Sequence, residues 1–235
     1  MDTLFANYFF YAKWDLFYLV LIPVASLMDF LIGLGLEKWK SRWLLGLSLL
    51  MNVGLLAVFK YIPDVSPWGA FPVGLSFYTF QSLSYTFDIY RRDGKATHSP
   101  LAYLASVSFF PTILSGPITR PVQLISQFEK VKQLLPIDGG RGLFLIGLGI
   151  AKKFMIADYL GENLVNRIFD FPKLYTGFEV LVAVYAYAFQ LYYDFSGYTD
   201  VAIGSALLLG LKLPPNFNAP YFAANLSDFW RRWHI

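Results

Sequence analysis

Between Arg42 and Lys60 the chain runs from Trp43 to Phe59 without a charge. A second run, Leu16 to Leu36, carries one, Asp29. Crossing a hydrocarbon core takes roughly 20 apolar residues in helix. In lipid a helix satisfies every backbone N–H and C=O within its own segment. These runs point to an all-α, polytopic membrane helix bundle. Composition agrees, with 15% charged residues against about 25% in soluble domains. The 19% aromatic content suits belts of Trp and Tyr at the membrane–water interface.

Further runs follow. Trp68 to Tyr90 is wetter, with Ser76, Thr79, Gln81, Ser82, Ser84 and Thr86, as expected of a helix inside a bundle or beside a cavity. Leu101 to Ile118 is apolar but interrupted by Pro111, Gly116 and Pro117. Broken backbone at membrane depth is tolerated only inside protein or beside a wet cavity, so this segment reads as re-entrant. Thr119 to Arg141 reads as a loop. Gly142 to Leu160 is hydrophobic around Lys152 and Lys153. Phe178 to Phe195 and Val201 to Leu213 read as two segments, with a kink at Gly197 as one reading of the polar stretch between them. "LPPNFNAPYF" is a non-helical connector, fixed by Pro214, Pro215 and Pro220. "NLSDFWRRWHI" reads as the start of a helix, with Asn225 or Ser227 as its cap and Asp228 at its positive end.

The loop charges suggest an orientation. "EKWKSR" and "RRDGK" each hold three bases and one acid, and two spans separate them. The positive-inside rule places both in the cytoplasm. Leu16 then enters from the outside, which leads us to expect a spanning helix before Met1. These bases read as topology signals, not as a nucleic-acid surface. The start shows no basic n-region of a cleavable signal peptide. Without cysteine, thiolate catalysis and disulfides are excluded. Two histidines alone, His98 and His234, make no His-rich metal site.

Charge at membrane depth needs a partner or a function, and four clusters qualify. Asp88, Tyr90, Arg91 and Arg92 close the wet third run and suit an interfacial anchor. Lys152 and Lys153, followed by Asp158, can pair internally or attract an anionic group, though an interfacial anchor is the better reading of this cluster by itself. Gln190, Tyr193, Asp194, Ser196, Tyr198, Thr199 and Asp200 suit either a structural network or a pocket lining. In "FWRRWHI", Asp228 stands three and four residues before Arg231 and Arg232, within ion-pair reach on a helix. Trp230 stands four before His234, so helical spacing predicts indole against imidazole. Histidine can serve as a base near neutral pH; from spacing alone, an interfacial aromatic belt is the better explanation of this stretch.

The ordered set "NYFFYAKWD", "PVGLSFYTFQSLSYTFDIYR", "FFPTILSGPITR", "AKKFMIAD", "YDFSGYTDVAIG" and "NFNAPYFAANLSDFWRRWHI" resembles the membrane-bound O-acyltransferase (MBOAT) family. The likeness is to its bacterial branch, which holds alginate-acetylating and D-alanyl-transferring members, and covers the whole chain, 1–235, as one domain. It implies a many-helix bundle with re-entrant pieces, in the bacterial inner membrane. A passage through a narrow waist brings an activated acyl group to a hydroxyl or amine. It further implies an acyl donor such as acetyl-CoA or another acyl thioester, no resident cofactor or metal, and no nucleic acid. The implied partners are membrane lipid, extracytoplasmic acetyl-transfer proteins and a polysaccharide acceptor. His234 corresponds to the first of the family's two polar positions. The second, a later histidine taken as catalytic, has no counterpart here, and the resemblance implies that this region lies beyond Ile235. By the same resemblance Gln190, Tyr193, Asp194, Ser196, Tyr198, Asp200, Asn218, Trp230 and Arg231 are candidates for lining the substrate passage, and Lys152 and Lys153 for holding the donor. A transporter and a non-catalytic remnant are the rival readings.

Overall fold

The computed structural model describes residues 4–9, 18–62, 74–114, 116–128 and 135–235. These residues are helical and contain no β-strand beyond one isolated bridge, Phe217 with Trp233. The chain divides into two compact units, Met1–Leu114 with Ile118–Lys132, and Ser115–Pro117 with Gln133–Ile235.

The first unit opens with α1 (residues 4–9). Among the described residues, two helices are long and apolar enough to cross a membrane, Val20–Trp39 within α2 (Tyr18–Trp39), and α3 (Arg42–Tyr61). They are the two runs expected from the sequence; Leu16 itself lies outside the described residues. The third run forms α4 (Leu75–Arg91); its expected beginning at Trp68 also lies outside them. Gly74 starts α4 with φ +79°, and a Cβ there would stand 2.7 Å from the Ile113 carbonyl oxygen. Only glycine combines that backbone with that approach.

The apolar segment after α4 is broken, as expected, with Gly116 and Pro117 outside helix, but a further break falls before Pro111 and not at it. α5 (Pro100–Val107) ends at Ser108, and α6 (Phe110–Ile113) takes Pro111 into its first turn, where a missing N–H costs nothing. Asn7 of α1 serves the break. Its Nδ2 donates to the Ala105 carbonyl at 3.0 Å and its Oδ1 accepts from the Phe110 N–H at 3.1 Å. A buried amide thus replaces the bonds that the interrupted helix lacks. The expected loop from Thr119 is partly helical. α7 (Pro121–Phe128) starts on a proline and buries Leu124 and Ile125. Its Val122, Ile125 and Phe128 recur at helical spacing, a short stripe hidden between basic residues.

The apolar core of this unit joins Phe30, Ile32 and Leu36 of α2 to Tyr78, Tyr85 and Ile89 of α4, and to Tyr103 and Val107 of α5. α3 differs, because its only buried residues are Ser48 and Asn52. Ser48 Oγ donates to Asp29 Oδ1 at 2.7 Å, and Asn52 Nδ2 donates to Asp29 Oδ2 at 2.8 Å. Ser48 Oγ also lies 3.2 Å from Thr86 Oγ1 of α4. One acid in the middle of α2 therefore ties three helices together.

The second unit is built on two long antiparallel helical runs. α8 (Pro136–Ala151) passes without a stop into π-helical turns at Lys152–Asp158 and Gly161–Val165, then into α9 (Asn166–Asp170). α10 is one helix, Gly177–Leu208, of 32 residues. This corrects the expectation of two segments about a kink at Gly197. Gly197 instead lets two helices touch. A Cβ on it would lie 2.8 Å from the Gly149 carbonyl oxygen, and one on Gly204 would lie 2.5 Å from that of Gly142. Two glycines seven residues apart on each run form a seam of backbone contact, as small residues do between membrane helices. Thr176 caps α10: its Oγ1 accepts from the Glu179 N–H at 3.3 Å, and Glu179 Oε2 accepts from the Thr176 N–H at 2.7 Å.

Candidate functional site

The widened turns after Gly149 aim Lys152 and Lys153 at α10. Lys152 Nζ lies 2.6 Å from Asp200 Oδ2; Lys153 Nζ lies 2.8 Å from Asp158 Oδ1 and 2.7 Å from Asp194 Oδ1. The structure thus joins two clusters that the sequence kept apart. π-turns recur where side chains must be re-aimed, often at functional sites. Farther along, Gly161 leaves room for Gln190, whose Nε2 would stand 2.6 Å from a Cβ there. Gln190 Oε1 and Ser196 Oγ are buried with no hydrogen-bond partner among the described residues. They are acceptors that a bound group can satisfy.

Beyond α10 the connector is non-helical except for one 3-10 turn at Pro220–Phe222, as its prolines require. α11 (Leu226–Arg232) follows, with Asn225 as its cap. Asn225 Oδ1 accepts from the Asp228 N–H at 2.8 Å. The expected ion pair forms between Arg232 Nε and Asp228 Oδ1 at 3.0 Å, and it holds the Asp228 carboxyl below its usual range. Arg231 and Trp230 are exposed.

The helix does not continue to His234. Asn218 N–H donates to the Arg232 carbonyl and Ile235 N–H to that of Asn216, both at 2.9 Å, and Phe217 bridges Trp233. This pairing pulls the chain out of α11, and His234 takes a left-handed φ of +50°. The predicted packing of Trp230 on His234 is therefore corrected. The imidazole stands edge-to-face on Phe195 of α10 at 5.0 Å, and Trp233 stacks on Phe229 at 5.5 Å.

His234 is held by a residue that spacing did not reveal. Asn216 is 1% exposed, and its Nδ2 donates to Thr199 Oγ1 at 3.1 Å. Its Oδ1 is left to accept from His234 Nδ1 at 2.7 Å. The proton then sits on Nδ1, and the acceptor lone pair of the neutral ring is on Nε2. Burial pushes the imidazole below its ordinary value of 6.5, so the neutral form prevails at pH 7. Of "NFN", Asn218 was the candidate chosen from sequence, yet its side chain is exposed and Asn216 is the buried one. Both flank Phe217, and alternation about that inward aromatic does not tell which end meets Thr199.

Asn216→Ala should release this lock. The chain has two histidines, so side-chain nitrogen NMR resolves His234. We expect the Nδ1–H tautomer in the wild type and a mixture in the variant. Thr199 loses its partner too, at a cost of about 1–3 kcal/mol.

Comparison with known proteins places these motifs. The family model for membrane-bound O-acyltransferases matches residues 6–235. The probable alginate O-acetylase AlgI of Pseudomonas aeruginosa is 35% identical over 99% of this chain and 48% of its own length. The peptidoglycan O-acetyltransferase of Helicobacter pylori is 34% identical over 98% of this chain and 52% of its own. The teichoic acid D-alanyltransferase of Bacillus subtilis is 33% identical over 69% of this chain and 42% of its own. The chain thus spans about half the length of the curated relatives it matches. With the ordered motifs and the spanning helices, these matches make the chain a member of the membrane-bound O-acyltransferase family.

Proposed function

We propose that this chain is part of an inner-membrane acyltransferase that moves acetyl groups from a thioester donor, such as acetyl-CoA, toward hydroxyls of an exported polysaccharide. The observation that carries this reading is His234, locked by Asn216 with Nε2 as acceptor beside the aromatic surface of Phe195. Nε2 can orient the acceptor hydroxyl or take its proton as the oxygen attacks the thioester carbonyl carbon and the thiolate leaves. By the family resemblance, a later histidine serves as the general base, and His234 assists it. Apolar rings around the imidazole exclude water, which would otherwise compete for the acyl group.

Ser196 and Thr199 are three residues apart on α10 and share a face. Thr199 holds Asn216, and in this scheme the Ser196 hydroxyl, without a partner among the described residues, lines the approach to His234. In this scheme Gln190, Tyr193, Tyr198 and Asp200 line the passage elsewhere along α10. Lys152 and Lys153 then shape the passage through their bonds to Asp200 and Asp194, leaving the donor's negative charges to other bases. Extracytoplasmic proteins complete the transfer in this scheme. The O-acetylating relatives named above match nearly the whole chain at 34–35% identity, and two D-alanylating relatives match 69% and 83% of it at 33% and 28%, which favours acetyl transfer to a sugar hydroxyl.

The test is His234→Gln in the longest natural form of the protein, in cells that make the polymer. Polysaccharide-bound acetate should fall by about 100-fold or more, the scale of a lost acid–base group, with the protein still in the membrane. Wild-type activity should decline only below the pH at which a free imidazole protonates, because burial lowers that of His234, and the variant should lack that decline. Unchanged acetylation removes His234 from the mechanism.

A further inference from the structure

α2 ends at Trp39 and α3 begins at Arg42, so only Lys40 and Ser41 join two helices of membrane-spanning length. Such a turn lies at a bilayer surface. Trp39 and Trp43 are 65% and 90% exposed beside it, as interfacial anchors are. The turn contributes Lys38, Lys40 and Arg42. The end of α4 is held to the same place. Arg92 Nη1 donates to the Glu37 carbonyl at 2.6 Å, and Lys40 Nζ lies over the Tyr90 ring at 5.9 Å. That end adds Arg91, Arg92 and Lys95, and Arg120 pairs with Asp88 beside them at 3.3 Å.

This rim therefore holds seven bases against three acids, Glu37, Asp88 and Asp93, a balance of +4 where the whole chain carries +3. Two of the acids are already engaged, Asp88 by Arg120 and Asp93 by Arg91 at 3.5 Å. Lys38, Lys40, Arg42, Arg92 and Lys95 have no carboxylate within 4 Å among the described residues. Next to Lys95 a groove of about 210 Å³ is lined by Thr97, Ser126, Val122 and Ile125, hydroxyls beside apolar carbons.

We infer that this rim binds anionic phospholipid headgroups, with Lys95 and its groove as one seat and the Lys38–Arg42 turn as another. The depth, the net charge and the exposed tryptophans fit a lipid phosphate beside its glycerol. Juxtamembrane basic clusters attract anionic lipid in this way.

The 235-residue chain is reconstituted into equimolar phosphatidylcholine and phosphatidylglycerol vesicles and extracted in mild detergent, and the lipid that stays bound is quantified by mass spectrometry. Phosphatidylglycerol should be enriched about fivefold or more, the scale of one base near an anionic surface. Lys38→Gln, Lys40→Gln, Arg42→Gln and Lys95→Gln together should bring the ratio close to one. Exchanging lysine and arginine at the same four positions keeps the charge and should keep the enrichment, which separates charge from misfolding. Arg167→Gln with Lys173→Gln, in the second unit, should leave it unchanged. Full enrichment in the glutamine variant overturns the proposal. So does displacement of the lipid by inorganic pyrophosphate at constant ionic strength, which would assign the rim to a soluble phosphate.

Discussion

Gly197→Val should break the α8–α10 pair, lowering the unfolding midpoint of the detergent-solubilised chain by roughly 10 °C, the equivalent of about 3 kcal/mol. The first atom that the new side chain meets is the Gly149 carbonyl oxygen, with Lys152 Cβ and Lys153 N just behind it. Backbone cannot rotate aside as a side chain can, so the helices must part. Parting them loosens the opposed Gly142–Gly204 contact and draws Lys152 from Asp200. Gly147 is the internal control. It lies in α8, two residues before Gly149, with nothing within 4 Å of an added Cβ. Gly147→Ala should be neutral or raise stability by up to about 1 kcal/mol, since alanine favours a helix interior over glycine. Equal effects at the two positions would mean that the seam contributes nothing.

Asp29→Ala should cost about 2–3 kcal/mol, measured in the same unfolding assay. Ser48 Oγ and Asn52 Nδ2 both lose the carboxylate, keeping Thr86 Oγ1 and the Ser48 carbonyl as acceptors, and these are the only residues that α3 buries. Hydrogen bonds between membrane helices average about 0.6 kcal/mol and reach about 1.7, so the loss of two bonds to one carboxylate accounts for the cost. Asp29→Leu with Asn52→Leu should recover most of the loss, because paired apolar replacements leave nothing unsatisfied. A double variant as unstable as Asp29→Ala would show that the acid does more than hold α3.

The sequence made the long apolar helices legible because charge-free length is a local property. Partner identity is not local. Asp29 stood out as a lone acid, but Ser48 and Asn52 are unremarkable inside a run defined by lacking charge, and only the α2–α3 turn brings them to it. Gly197 drew a kink prediction because glycine lowers helix propensity. Its partner Gly149, forty-eight positions away (197 − 149), turns the same residue into a contact surface. In "FWRRWHI" the spacing argument placed Trp230 on His234 by assuming an unbroken helix. Pairing of residues 232–235 with 216–218 ends it, and that pairing depends on the connector's path. The polar content of the site was visible, whereas Asn216, which fixes the tautomer, was indistinguishable from Asn218.

The polar attachment of α3 bears on the order in which a ribosome delivers these helices. Asp29 emerges first, Ser48 and Asn52 follow, and Thr86 comes last. The α2–α3 hairpin can therefore satisfy its acid as soon as the second helix leaves the translocon, before α4 exists. An intramembrane carboxylate waiting for a distant partner would be a hazard to nascent chains. Here the waiting time is the synthesis of the rest of α2, a two-residue turn and half of α3, and α4 arrives at a carboxylate already hydrogen-bonded to its neighbour.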